Sequence, residues 1–166
     1  MSKHIHEMRI GGTLEMRGPN GKFSYTRNMC QSLLMIAGGT GITPMIQLIR
    51  AIVNDSRDCT RIFLVYANVA EEDILLKSEL KELEKTYPRF SVIYFLNNPS
   101  KNWKGSTGYV SKEVLRSLCP PNAISGAKAL LCGPPPMTKC MLSYCIEIGF
   151  RPPSYPSRSD DHVFVF

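Results

Sequence analysis

From Gln31 to the C-terminus, apolar runs of strand length alternate with amphipathic segments of helical period. Near-continuous apolar runs are typical of strands that are covered on both faces of a sheet. The predicted strands are residues 32–37, 61–67, 90–96, 127–132 and 162–166. The predicted helices are residues 44–53, 72–87, a short helix beginning at Ser111, and 136–148. This alternation predicts an α/β fold: a doubly wound, five-stranded parallel sheet of order 3-2-1-4-5 with helices on both faces.

Residues 1–30 do not continue this pattern. Residues 13–17 alternate weakly, 18–21 form a predicted turn, and 23–25 form another short predicted strand. A segment of this length is too short to bury a core of its own. We therefore divide the chain into residues 1–30, the predicted tail of a preceding domain, and residues 31–166, the α/β domain.

The composition excludes several classes of function. The net charge is +6, but the basic residues are scattered and lack interleaved aromatic residues, which argues against nucleic-acid binding. Two interpretations of the charge stay open: a basic rim that meets an acidic protein partner, and an ordinary solvated surface. The apolar runs are too short to span a membrane. The six cysteines do not have the spacing of a zinc site, so we predict no metal.

A glycine-rich loop, Gly38-Gly-Thr-Gly-Ile-Thr-Pro44, joins the first predicted strand to the first predicted helix. Glycines permit a tight turn and let backbone N–H groups approach a pyrophosphate, and the dipole of the following helix favours an anion. Pro44 suits the first turn of a helix. The alternative is a tight strand-to-helix turn that binds no ligand.

A second loop, Cys132-Gly-Pro-Pro-Pro-Met137, follows the fourth predicted strand and opens the fourth helix. In an open α/β sheet, ligands bind at the carboxyl ends of the strands where the strand order reverses. The predicted order makes the first and fourth strands neighbours across that point. The two loops therefore predict one crevice, and their coincidence favours a nucleotide site over two unrelated turns.

Four segments together closely resemble the NADH–cytochrome b5 reductase family of the ferredoxin–NADP reductase superfamily. They are Gly38 to Met45, Asp73 to Leu76, Cys132 to Met137 and Val163 to Phe166, and the resemblance extends over essentially the whole chain. It implies that residues 31–166 are an NAD(P)-binding domain and that residues 1–30 are a remnant of an FAD-binding β-barrel. It also implies a flavoprotein enzyme that passes electrons from NADH via FAD to cytochrome b5 or a similar haem protein.

The resemblance implies roles for individual residues. Thr43, against the flavin ring, and Cys132, beside the nicotinamide, are the candidate catalytic residues. The other implied cofactor contacts are Gly38, Gly39, Thr40 and Gly41 around the nucleotide, Gly133, Pro134, Pro135 and Met137 in the same pocket, Asn68, Asp73 and Asn97 near the outer part of the nucleotide, Phe166 at the flavin edge, and Met1 and Ser2 at the FAD phosphates.

Cys132 has two interpretations. A thiol at a helix N-terminus is expected to have a lowered pKa and an exposed, functional position. A thiol at the end of a buried strand can instead be part of the core. Covalent catalysis is not expected, because hydride transfer needs no protein nucleophile.

The sequence departs from the family pattern in two places. The Arg-x-Tyr-Thr/Ser motif of the FAD barrel is absent, so we expect residues 1–166 to bind FAD weakly or not at all. An NAD(H)-binding module without turnover is therefore the alternative function. Asn97 stands where many members have an acidic residue that disfavours NADPH, so the choice between NADH and NADPH stays open.

The flavin domain of nitrate reductase belongs to the same superfamily and is a further interpretation, because the sequence does not distinguish between electron acceptors. The resemblance also implies a location on the cytoplasmic side of a membrane. The longer parent protein would be anchored to the endoplasmic reticulum or the mitochondrial outer membrane.

Overall fold

The computed structural model describes residues 2–18 and 21–166. Its strands are β1 (Ser32–Gly38), β2 (Arg61–Asn68), β3 (Phe90–Leu96), β4 (Ser106–Thr107), β5 (Ala127–Cys132) and β6 (Val163–Val165). Its α-helices are α1 (Ser2–Glu7), α2 (Ile42–Val53), α3 (Lys77–Thr86), α4 (Lys112–Leu118) and α5 (Pro135–Ile148). Three short 3-10 helices span Gly39–Gly41, Glu71–Asp73 and Pro121–Gly126.

The strands form one parallel sheet in the order β4-β3-β2-β1-β5-β6. The predicted α/β class is confirmed, and the five predicted strands lie in the predicted relative order. The predicted strand count was wrong, because the two-residue strand β4 adds a sixth strand at the edge beside β3. A Ser-Thr pair is neither apolar nor long enough to produce a strand pattern in the sequence.

Helices cover both faces of the sheet. Every residue of β1 is buried, and its side chains alternate between two cores. One core contains Leu33 and Met35 with the apolar side of α2 and Leu80 of α3. The other contains Leu34 and Ile36 with residues of α4 and α5. Burial on both faces explains the near-continuous apolar runs of the central strands.

The predicted helix 72–87 is interrupted in the structure. A 3-10 turn at Glu71–Asp73 comes first, and the Asp73 carboxylate accepts a hydrogen bond from the Ala70 N–H (2.9 Å). Leu76 then adopts a left-handed conformation with φ of 58°, and α3 begins only at Lys77. Apolar periodicity continued through this break, but a left-handed residue cannot continue an α-helix.

Neither the weakly alternating residues 13–17 nor the predicted short strand at 23–25 forms a strand, so the strand prediction for this segment was wrong. Residues 23–25 contact the α/β domain through side chains instead of pairing with another strand. The ring of Phe23 lies 4.9 Å from that of Phe164, and the Tyr25 hydroxyl donates to the Asp58 carboxylate (2.6 Å). The predicted turn at 18–21 includes Pro19 and Asn20, which lie outside the described residues.

Two absences apply to the described part of the chain. Within residues 2–18 and 21–166, no helix has the length and apolar character needed to cross a membrane. The same residues contain no cluster of three or more His, Cys, Asp or Glu side chains that could hold a metal ion.

Candidate functional site

A cleft of about 580 Å³ lies at the carboxyl ends of β1 and β5. The two strands pair in parallel, with Ala37 opposite Cys132, so the loops that follow them begin side by side. The cleft is lined by Gly38, Gly39, Thr40, Gly41, Thr43, Cys132, Gly133 and Pro134. The structure therefore brings both sequence motifs together at the point where the chain switches from one side of β1 to the other.

Close contact between the two loops explains two of the glycines. A Cβ on Gly41 would collide with the backbone carbonyl group of Cys132, its carbon at 2.6 Å. A Cβ on Gly38 would lie 2.6 Å from the Met137 Sδ and 2.9 Å from the Pro134 Cδ. Distances below about 3 Å force atoms to move, so a side chain at either position would push the loops apart.

Gly39 has a different requirement. Its φ is +54°, in the left-handed region, and a Cβ built there would have no heavy atom within 4 Å. Glycine adopts this conformation without the penalty that other residues have. The space beside Gly39 is open, so a ligand can approach the backbone here.

The cleft has the electrostatics of an anion site. Helices α2 and α5 both begin at it, and neither has an acidic residue in its first turn. All the lining residues are uncharged. The positive dipole ends of both helices favour a phosphate group in the space between them. At α5 this contribution comes from the dipole and not from N–H donors at the helix start, because residues 134–136 are prolines.

Thr43 lies in the first turn of α2 with an exposed side chain. Its hydroxyl donates a hydrogen bond to the Thr40 carbonyl oxygen at 3.0 Å. This bond holds the side chain against the glycine loop and uses the hydroxyl as a donor, so its oxygen remains able to accept a hydrogen bond.

The side chain of Cys132 is half-buried at the end of β5. This degree of burial lies between the exposed position and the core position that the sequence left open. Burial raises the pKa of its thiol, so the predicted lowering was wrong. The helix-dipole argument was outweighed because burial disfavours the charged thiolate. The side chain is therefore a neutral thiol at neutral pH, which is consistent with contact to a ligand and not with nucleophilic attack.

Tyr66 was missed by the sequence analysis, which treated it only as a strand residue. Its side chain is fully buried in β2, and its hydroxyl donates a hydrogen bond to the Gly39 carbonyl oxygen at 3.0 Å. Burial raises the pKa of this hydroxyl, which keeps it protonated. One sequence feature could have indicated this contact. Tyr66 lies two residues before the end of β2, the strand beside β1 and its glycine loop.

Asn68, Asp73 and Asn97 lie outside the residues that line the cleft. Asn68 ends β2 and is buried, and neither polar atom of its side chain has a hydrogen-bond partner among the described residues. Asn97 is exposed just after β3, and its N–H donates to the Asn68 carbonyl oxygen (3.2 Å). Asp73 caps the 3-10 turn described above. Their assignment to the outer part of a nucleotide stays a prediction.

The remaining predicted contacts are more dispersed. Pro135 opens α5, and Met137 packs under Gly38. Phe166 is partly exposed beside Phe164, with ring centroids 4.9 Å apart, and is not part of the cleft lining. Met1 and the side chain of Ser2 lie outside the described residues, so their predicted FAD contacts stay untested.

A larger depression of about 890 Å³ lies at the opposite, amino-terminal edge of β1, β2 and β5. Its buried cation, Lys128, already donates to the carbonyl oxygens of Ser159 and Asp161. Ligands of open α/β sheets bind at the carboxyl ends of the strands. The smaller cleft is therefore the candidate functional site.

A parallel doubly wound sheet with a glycine-lined, uncharged cleft between two helix N-termini defines a dinucleotide-binding α/β domain. Residues 35–142 match the family described as the oxidoreductase NAD-binding domain. The chain belongs to this family.

Relatives with curated names align along the whole chain. It is 48% identical over 167 residues to "NADH-cytochrome b5 reductase 1" of Laccaria bicolor, covering 100% of this chain and 54% of the relative. It is 49% identical over 166 residues to the protein of the same name from Dictyostelium discoideum, covering 100% and 55%. The chain thus spans about half the length of these relatives.

A solved structure shares both the fold and sequence similarity. The cytochrome b5 reductase domain of Ulva prolifera nitrate reductase superposes with a TM-score of 0.85 at 33% identity. The alignment covers 99% of this chain and 64% of that chain. The α/β fold of residues 31–166 is therefore that of a reductase nucleotide-binding domain.

Proposed function

We propose that this chain binds NADH in the cleft and presents the nicotinamide ring for hydride transfer within an NADH-dependent flavoprotein reductase. The observation that carries the proposal is the uncharged cleft between the N-termini of α2 and α5. A pyrophosphate is the anionic part of NADH, and this arrangement suits it. The names of the close relatives support NADH as the nucleotide.

The glycine loop and the Cys132 loop have separate tasks in this proposal. The backbone of residues 38–41 binds the pyrophosphate, because the open space beside Gly39 admits the ligand to its N–H groups. Cys132 and Pro134, on the facing wall, restrict the position of the nicotinamide. The raised pKa of Cys132 keeps its thiol uncharged, so it orients the ring by contact alone.

A flavin, when bound, accepts the hydride and releases single electrons, chemistry that no side chain provides. Thr43 is the residue of this chain that we assign to the flavin side of the cleft. Its hydroxyl is held by Thr40 with lone pairs free, so it can accept a hydrogen bond from a ring N–H. Weak or absent binding of FAD by residues 1–166 alone stays a prediction.

A haem protein of the cytochrome b5 type is the proposed electron acceptor, as the relatives' names suggest. The net charge of +6 favours association with an acidic partner, and such steering weakens as the salt concentration rises. A position on the cytoplasmic side of the endoplasmic reticulum or mitochondrial outer membrane stays part of this proposal for the longer protein.

A second candidate function is an NAD(H)-binding module without turnover. All the residues that line the cleft lie between positions 38 and 134, so none of the described residues 2–18 and 21–30 is part of its lining. This feature favours a domain that binds its nucleotide independently of flavin.

One experiment separates the two functions. The purified chain is titrated with NADH, then with FAD, while NADH-dependent reduction of ferricyanide is followed. Visible flavin absorption with turnover would support the reductase for this chain. NADH binding without turnover after FAD addition would support the binding module, and absence of NADH binding would contradict both.

A further inference from the structure

We propose that Tyr66 is a positioning residue that fixes the orientation of the Gly39–Thr40 peptide for phosphate binding. The inference rests on the proposed NADH site. It adds a residue that does not line the cleft and acts on the ligand only through the backbone of the loop.

The hydroxyl of Tyr66 reaches the loop from the neighbouring strand. Tyr66 pairs with Ala37 of β1, two residues before Gly39, and its hydroxyl lies 3.0 Å from the Gly39 carbonyl oxygen. The ring is fully buried and packs near Tyr94, with ring centroids 6.2 Å apart. The donor is therefore held rigidly by the core.

Gly39 has few restraints of its own. It has no side chain, its φ is +54°, and no heavy atom lies within 4 Å of the position of a Cβ. Its carbonyl oxygen accepts two hydrogen bonds, one from the N–H of Ile42 and one from Tyr66. The Ile42 bond is local to the 3-10 turn, whereas the Tyr66 bond ties that turn to the sheet.

The orientation of the carbonyl decides the orientation of an N–H group. In a planar trans peptide, the Gly39 C=O and the Thr40 N–H point in opposite directions. The carbonyl is directed into the core at Tyr66, so the Thr40 N–H is directed away from the core. Thr40 is an exposed residue of the cleft lining in the glycine loop before α2, so an outward N–H there is accessible to a phosphate oxygen in the cleft.

Without the Tyr66 hydroxyl, the Gly39–Thr40 peptide would be free to change its orientation, and ligand binding would have to fix it. Ordering a flexible segment weakens binding without removing any direct contact. The effect should appear only with ligands that contain phosphate. A general loss of structure would instead weaken the binding of phosphate-free ligands equally.

Tyr94 provides a matched control. It pairs with Tyr66 on the adjacent strand β3, and its hydroxyl is buried with no hydrogen-bond partner among the described residues. Tyr94→Phe removes the same atom from the same core but no contact with the loop.

The experiment measures binding of NADH, ADP and adenosine to the chain and to the Tyr66→Phe and Tyr94→Phe variants. Calorimetry gives the affinities for the nucleotides, and ¹⁵N NMR titration gives those for adenosine and the Thr40 amide signal. Loss of one neutral hydrogen bond predicts that Tyr66→Phe binds NADH and ADP about three- to tenfold more weakly. Adenosine binding should stay unchanged, the Thr40 amide signal should shift or broaden, and Tyr94→Phe should bind all three as the parent chain does.

Two results would overturn the inference. ADP binding by Tyr66→Phe at the affinity of the parent chain would show that the hydroxyl does not position the peptide. Equal weakening of ADP and adenosine would show a general structural role. Absence of NADH binding by the parent chain is a separate result, and it would contradict the proposed function itself.

Discussion

Gly41→Ala should both destabilise the domain and weaken nucleotide binding, because the added methyl group has no space. Its Cβ would overlap the Cys132 carbonyl group and lie 3.1 Å from the Gly133 nitrogen. These are backbone atoms, so the clash cannot be relieved by rotating a side chain. Overpacking of this kind costs about 1–3 kcal/mol. For a domain of this size, that corresponds to a decrease in Tm of roughly 2–12 °C.

Gly39→Asn is the matched variant for this test. Asparagine tolerates the left-handed conformation better than other non-glycine residues, and the space beside Gly39 is open. We expect a smaller loss of stability than for Gly41→Ala, but a clear loss of NADH affinity because the side chain enters the cleft. Urea unfolding and NADH calorimetry on both variants provide the comparison. A Gly41→Ala variant as stable as the parent chain would refute the close approach of the two loops.

Three further predictions concern other parts of the chain. Tyr25→Phe should destabilise the fold by about 1.5–3 kcal/mol at pH 7, because it removes a hydrogen bond to the buried Asp58 carboxylate. Burial acts to raise the pKa of Asp58, but hydrogen bonds from Tyr25 and Thr60 hold that pKa below its usual value. The difference in unfolding free energy between Tyr25→Phe and the parent chain, measured in urea, should therefore become smaller as the pH falls below about 4 and Asp58 is protonated. The rate of Cys132 alkylation, measured by mass spectrometry, should keep rising with pH to a higher pH than the rate of an ordinary thiol does, because burial raises the pKa of Cys132. Asn97→Asp should increase the preference for NADH over NADPH by roughly fivefold, because an exposed acid would repel the 2′-phosphate.

Each of these predictions has a contradicting result. Equal stability of Tyr25→Phe and the parent chain at pH 7 would argue against an anchoring role for this contact. Rapid alkylation of Cys132 at neutral pH would indicate a thiolate and contradict the burial argument. An unchanged ratio of NADH to NADPH affinity in Asn97→Asp would place residue 97 away from the ribose.

The strands were predictable because burial on both faces requires continuous apolar runs. The bounds of β3 and β5 coincide with the predicted 90–96 and 127–132. Strand β4 was not predictable, because its two residues are polar and pair only through the backbone with the end of β3. The break at Leu76 was hidden by apolar residues that continue the helical period on both sides.

The parts of the candidate site that local sequence determines were predictable. The parts that depend on the register between strands were not. The two loops follow adjacent strands, so their motifs and the fold class together indicate one cleft. The contact between Tyr66 and Gly39 depends on the register of β1 with β2, which no local pattern encodes. The pKa of Cys132 was wrongly predicted, because the helix-terminus rule was applied without knowledge of the burial at the end of β5.

The most direct test of the proposed nucleotide site is an ¹⁵N NMR titration of the chain with NADH. The proposed site predicts saturable shifts of the amide signals of residues 38–43 and of Cys132 and Gly133 at the carboxyl edge of the sheet. Absence of binding would contradict the proposal. Shifts confined to the opposite edge, around Gln31 and Lys128, would show that the larger depression and not the glycine-lined cleft holds the nucleotide.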